Sequence, residues 1–215
     1  MLQVARFEFA LFGINTYVVW DDDTFQCIII DPGMSSVDER QSIDHFIDMK
    51  GLNVIGLVNT HLHIDHAIGN KYVRERYHVG LSANPADAEL GRNLEVQAEI
   101  FGLPFSIRAE VPTISLSGGD VLRIGEGELA VLYVPGHTPG HIALYAAKEG
   151  FVIVGDVIFR GSIGRTDLPG GNHDQLMESI DSQLKSLPDS TIVYPGHGPE
   201  TTIGREKKFN PFMRD

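Results

Sequence analysis

Apolar and polar positions alternate in short runs over the first thirty residues. Leu2–Ala10, Tyr17–Trp20 and Gln26–Ile30 read as strands, with Gly13-Ile14-Asn15 and Asp21-Asp22-Asp23 as the turns between them. Asp31-Pro32-Gly33 stops the third run. The period then changes. Val37, Ile43, Phe46 and Ile47 give an apolar face to a helix over Ser36–Met49. Ser36 stands at its N-cap with Glu39 three residues on, a capping box, and Gly51 ends it. Val54–Asn59 reads as a buried strand, and Ala67–Tyr77 and Pro85–Ile100 as helices. Further strands are predicted over Thr113–Leu116, Val121–Ile124, Leu129–Val134, Ile142–Ala146 and Phe151–Val154. A helix at about His173–Ser186, the strand Thr191–Tyr194 and a short C-terminal helix complete the pattern. Both halves run from antiparallel strands into strand–helix units. That grammar predicts an α/β (α+β) fold of two mixed sheets stacked face to face with helices outside, four layers in all. No low-complexity tract, Pro- or Ser-rich linker or charge block divides the chain, so residues 1–215 read as a single domain.

Composition narrows the function classes. Hydrophobic residues make up 42% and charged residues 21% of the 215, ordinary for a soluble globular protein. A formal charge of −12 repels a phosphate backbone, which argues against nucleic acid as partner and leaves a small molecule. Cys27 is the one cysteine, so no intrachain disulfide forms, and its place in Cys27-Ile28-Ile29-Ile30 reads as a small buried hydrophobe. No apolar run has the length of a membrane span, and no basic segment leads into an apolar one at the N-terminus. The expectation is a cytoplasmic protein without membrane partners. Nothing in the sequence announces an oligomeric interface.

The densest chemistry is His61-x-His63-x-Asp65-His66, directly after an apolar strand. In an extended segment, side chains at i, i+2 and i+4 share one face, so His61, His63 and Asp65 can point the same way. A turn at Asp65 would bring His66 around. A polar surface loop is the bland alternative. Imidazoles and a carboxylate packed this closely gain little, however, unless a cation holds them together. Imidazole and carboxylate donors suit zinc first, and also iron or manganese. Three later strand ends repeat the setting, each passing through a glycine to a ligand-type side chain: Pro135-Gly136-His137-Thr138-Pro139-Gly140-His141, Gly155-Asp156, and Pro195-Gly196-His197-Gly198.

These segments resemble the metallo-β-lactamase superfamily, and within it the compact glyoxalase II-like (hydroxyacylglutathione hydrolase-like) hydrolases. The resemblance covers the chain from Asp31-Pro32-Gly33 to His197. It implies a four-layer αββα sandwich with a site at the edge of the two sheets and two divalent metal ions. His61, His63 and His137 would bind the first ion, Asp65, His66 and His197 the second, and Asp156 would bridge them. The implied reaction is attack of a metal-held hydroxide on a thioester, with Asp65 and Asp156 as the catalytic carboxylates. A lactone or other ester is an alternative substrate. Gly164-Arg165-Thr166-Asp167 is also similar to the persulfide dioxygenases, where one iron would sit on His61, His137 and Asp156. The 18 residues after His197 resemble the compact branch rather than the C-terminal basic helical region of full-length glyoxalase II-like enzymes.

Other residues keep two readings. Arg165 could bind a substrate carboxylate, or pair with an acidic neighbour and shape its loop. His173 could approach the substrate or be a surface histidine. His141 could orient the loop around His137 or be structural. Asp31 could hold a metal ligand or the motif loop by hydrogen bonds, or form a turn. His45 and His78 read as ordinary.

Overall fold

The computed structural model describes residues 1–104 and 107–214. The chain divides into two compact units, Met1–Leu116 with Arg123–Gly127, and Ser117–Leu122 with Glu128–Asp215. Each carries one six-stranded sheet.

In the first unit the strands run β1 (Leu2–Phe9), β2 (Ile14–Asp21), β3 (Gln26–Ile30), β4 (Asn53–Val58), β5 (Leu81–Ala83) and β6 (Ile114–Ser115), in spatial as in chain order. β1–β3 pair antiparallel, and β3–β6 pair parallel. Parallel pairing of β3 and β4 needs a crossover. Helix α1 (Val37–Lys50) supplies it and buries Ile43 and Ile47 against Val18, Ile29 and Leu57. Val37, expected on the apolar face, is 63% exposed, and burial on this helix is confined to Ile43 and Ile47. The capping box is present: Ser36 Oγ accepts from the Glu39 amide, and the Glu39 carboxylate accepts from the Ser36 amide at 3.0 Å. Gly51 closes the helix in the left-handed conformation, φ 65°.

Two expected helices are broken. The stretch read as Ala67–Tyr77 is α2 (Ile64–Ala67) and α3 (Asn70–Tyr77), joined through Gly69. The Gly69 amide donates to the Pro32 carbonyl at 2.7 Å, and a Cβ there would collide with Met34. Tertiary contact therefore sets the break. Pro85–Ile100 is a 3₁₀ turn followed by α4 (Ala88–Arg92) and α5 (Leu94–Ile100).

The second six-stranded sheet, most of it in the second unit, has the order β14 (Thr201–Thr202), β13 (Ile192–Pro195), β10 (Phe151–Gly155), β9 (Ile142–Ala146), β8 (Gly127–Tyr133) and β7 (Val121–Ile124). β10 is buried along its whole length, flanked by β9 antiparallel and β13 parallel. A small hairpin, β11 (Ile158–Phe159) with β12 (Ser162–Ile163), follows β10. Helix α6 (His173–Ser179) continues into a wider π turn over Ile180–Leu184, and its apolar side packs on Val134, Val152 and Val193. Helix α7 (Ile203–Phe209) follows β14 directly.

Glu206 ties α7 to the hairpin. Its buried carboxylate accepts from the Gly161 amide at 2.7 Å, Asn210 Nδ2 at 3.0 Å, Thr201 Oγ1 and Arg205 at 2.7 Å. Burial opposes its ionisation, but those donors outweigh burial and hold its pKa below the ordinary glutamate value. A depressed folded pKa stabilises above the unfolded pKa, near 4.3, and that contribution fades as pH falls through the folded value. Glu206→Gln is therefore expected to cost about 1–3 kcal/mol at pH 7, by denaturant unfolding, with the gap from wild type shrinking below pH 4. A gap that widens in acid would contradict this assignment.

Candidate metal centre

In the first unit, β3 and β4 end side by side, and the polar residues beyond them form a buried network. Asp31 adopts a left-handed φ of 50°, a conformation aspartate tolerates better than most residues. Its carbonyl accepts from Thr16 Oγ1 at 2.7 Å, and its carboxylate, fully buried, accepts from the Thr60 amide and the Thr60 hydroxyl, both at 2.7 Å. Asn59 Nδ2 donates to the His66 carbonyl at 2.6 Å. The turn after β4 is thus fixed before the histidines begin.

His61, His63, Asp65 and His66 follow, but the segment is not extended throughout. Asp65 and His66 lie in the single turn of α2, with His63 at its N-cap, so the helical turn rather than strand alternation sets their directions. The rings of His61 and His63 stand 4.9 Å apart, and those of His61 and His66 4.0 Å apart. Asp65 Oδ2 is 3.8 Å from His66 Nε2. Loop amides are held from outside: Leu62 donates to Asp87 at 3.2 Å and Ile64 to Gln97 Oε1 at 3.0 Å. Gly33 faces the Asp65 carbonyl, where a Cβ would also collide with Ile14.

The same contacts fix protons. The Thr60 hydroxyl gives its hydrogen to Asp31, so its oxygen accepts from His61 Nδ1–H at 3.1 Å. That leaves the His61 Nε2 lone pair for a ligand. His66 Nδ1 lies 3.0 Å from Asp31 Oδ2, which favours the proton on Nδ1 and a basic Nε2.

In the second unit, β8, β10 and β13 each lead into a short turn that carries a ligand-type residue, His137, Asp156 and His197 in that order. Asp156 Oδ2 sits 3.7 Å from His137 Nε2 and 3.6 Å from His197 Nε2. His137 donates Nδ1–H to the Arg165 carbonyl at 2.7 Å, again freeing Nε2. His141 Nε2 accepts from the Asp156 amide at 3.1 Å, so its direct hold is on Asp156. Gly136 has φ 132°, and a Cβ there would strike Leu176 of α6. A Cβ on Gly164 would collide with the Asp156 carbonyl and stand 3.2 Å from His137 Nδ1. Gly164→Ala is accordingly expected to lower metal affinity about 10–100-fold, read by competition with a chelating dye. Unchanged affinity would show that this contact does not position Asp156.

Arg165 and His173 take no part in either cluster. Arg165 forms a two-pronged pair with Asp167, 2.7 Å for each contact, with both side chains more than half exposed. That pairing holds the Asp167 pKa down at about 2. Arg165 reaches the site through its backbone carbonyl alone. His173 is an exposed residue in the first turn of α6, whose amides are capped by Asn172. The supports that sequence reading did not name are Asn59, Thr60, Asp87 and Gln97. The available signal was the polar pair Asn59-Thr60 closing an apolar strand.

The donor set fits divalent cations. Each unit presents imidazole Nε2 atoms beside carboxylate oxygens, and His61 and His137 have their outer ring nitrogens on protein acceptors.

Comparison with known proteins agrees. The family described as the metallo-beta-lactamase superfamily matches residues 10–197. The hydroxyacylglutathione hydrolase GloC of Haemophilus influenzae is 37% identical, covering 94% of this chain and 93% of its own. The crystal structure of BLEG-1 B3 metallo-beta-lactamase superposes with a TM-score of 0.88 at 32% identity over 100% of both chains. TTHA1623 in a di-iron-bound form gives a TM-score of 0.85 at 34% identity, over 97% of this chain and 100% of its own. Two mixed sheets with their helices match the sandwich expected from the sequence. The chain belongs to the metallo-β-lactamase superfamily.

Proposed function

We propose that this chain is a binuclear metal-dependent hydrolase of thioesters, of the hydroxyacylglutathione hydrolase type, acting on a small-molecule substrate. The carrying observation is Asp156, a carboxylate set between His137 and His197 at 3.7 and 3.6 Å. We assign His61, His63 and His137 to one ion, Asp65, His66 and His197 to a second, and Asp156 to both. Two divalent cations, zinc first among them, would supply a nucleophilic hydroxide near neutral pH and polarise the substrate carbonyl. Asp31, Thr60 and the Arg165 carbonyl take the outer imidazole nitrogens and so leave the Nε2 atoms to face the ions. Asp65, whose side chain is 18% exposed, can orient the attacking group. A thiolate leaves as a stable anion and needs no strong general acid, whereas an amide would need one. The Haemophilus relative supports the thioester subtype.

The test is hydrolysis by metal-loaded protein of a panel of glutathione thioesters, oxygen esters and lactones. We expect thioesters to give the highest kcat/KM and a chelator to abolish turnover. No thioester cleavage, with about one iron per chain and oxygen uptake on adding a persulfide, would replace this reading with a dioxygenase.

A further inference from the structure

The first unit has a second concavity, outside the ligand cluster. A cavity of about 320 Å³ opens between α1, α3 and the 107–110 segment and adjoins another of about 280 Å³, sharing Lys71, Glu75, Arg108 and Glu110. Its charge runs against the chain's −12. Among the described residues, Arg40, Lys71, Arg74 and Arg108 line the two cavities against Glu75 and Glu110.

The internal pairs are uneven. Arg74 is committed to Glu110 at 2.6 Å. Glu110 is in turn anchored, since its amide donates to the Gly91 carbonyl at 2.9 Å and a Cβ on Gly91 would strike the Glu110 carbonyl. That wall is therefore fixed. Lys71 and Glu75 stand 3.8 Å apart and more than half exposed, a weak pair. Arg40 lies over the Tyr72 ring at 5.2 Å, with the Ser35 carbonyl at 3.4 Å as its hydrogen-bond acceptor. Arg40 and Arg108 have no carboxylate partner among the described residues. Ile68, Ile107 and the Tyr72 ring line the larger cavity together with Arg40 and Arg108.

From this juxtaposition we propose that the groove binds a small organic oxyanion, its phosphate or carboxylate on Arg40, Lys71 and Arg108 and its apolar part on Ile68, Tyr72 and Ile107. Guanidinium forks match either oxyanion, and an apolar floor selects against free inorganic ions. The site is separate from the ligands assigned to the metals.

Phenyl phosphate, benzoate, phenol and inorganic phosphate, titrated into zinc-loaded protein and followed by backbone amide NMR shifts, test this. Phenyl phosphate or benzoate is expected to shift Ile68, Tyr72 and Arg108, at least tenfold more tightly than phenol or inorganic phosphate. The tighter of the two identifies the oxyanion source. Arg108→Gln and Arg40→Gln should each weaken that binding about tenfold and leave thioester turnover unchanged. Should Arg40→Gln fail to fold, Lys71→Gln serves in its place. Shifts confined to residues 61–66, equal binding of phenol, or affinity untouched by the Arg108 substitution would overturn the proposal.

Discussion

Asp156→Asn is expected to lower kcat/KM for a thioester by at least about 10³-fold, roughly 4 kcal/mol of transition-state stabilisation. The bound metal should fall below that of wild type in the same preparation. The reasoning begins with geometry. Asp156 Oδ2 stands almost equidistant from His137 and His197, so its charge serves both imidazole positions at once. A neutral amide offers one acceptor oxygen and no negative charge, and cannot serve two cations. The substitution spares the fold, because the Asp156 amide is held independently of its side chain by His141, and the preceding residue, Gly155, by the sheet. Thermal unfolding of the apo protein should shift little. Turnover within tenfold of wild type would remove Asp156 from its assigned role.

The second large effect is expected at Asp31, which touches no proposed substrate. Asp31→Asn should weaken metal binding about 10–100-fold, since partners behind a ligating histidine are worth that much. The carboxylate accepts two hydrogen bonds from Thr60 and lies 3.0 Å from His66 Nδ1. An amide nitrogen placed there would confront a donor. Left unmatched in a fully buried position, that clash should also cost about 1–3 kcal/mol of stability. Asp31→Gly separates charge from backbone, because glycine accepts the φ of 50° without strain. Equal losses of affinity in the two variants would locate the effect in the carboxylate. A loss in neither would make Asp31 a turn residue only.

What the sequence reveals follows the range of the interaction. The Ser36–Glu39 capping box and the Gly51 terminus are local, and both stand where the residues place them. The long strands of each sheet carry enough alternation or continuous apolarity to be recognised. Two-residue strands such as β11, β12 and β14 carry no period at all. The break at Gly69 depends on Met34 and Pro32, more than thirty residues back, and no local pattern records it. The start of β2 at Ile14, read as part of a turn, reflects its pairing with Phe9.

The site divides in the same way. Ligand-type side chains at strand ends are visible because their chemistry is in the side chain. Arg165 shows the opposite case: its side chain turns outward to Asp167, while its carbonyl orients His137. A backbone acceptor has no signature in residue identity, so such a role is legible only in coordinates. Thr60 lies between these cases, a side chain whose function depends on Asp31 meeting it across two adjacent strand ends.

Metal stoichiometry measures the central claim most directly. Protein saturated with zinc, freed of excess and examined by anomalous diffraction at the zinc edge should show a pair of ions per chain, with His61, His66 and His137 coordinating through Nε2. Absence of any ion under those conditions, or coordination of His61 through Nδ1 with Thr60 displaced, would contradict it.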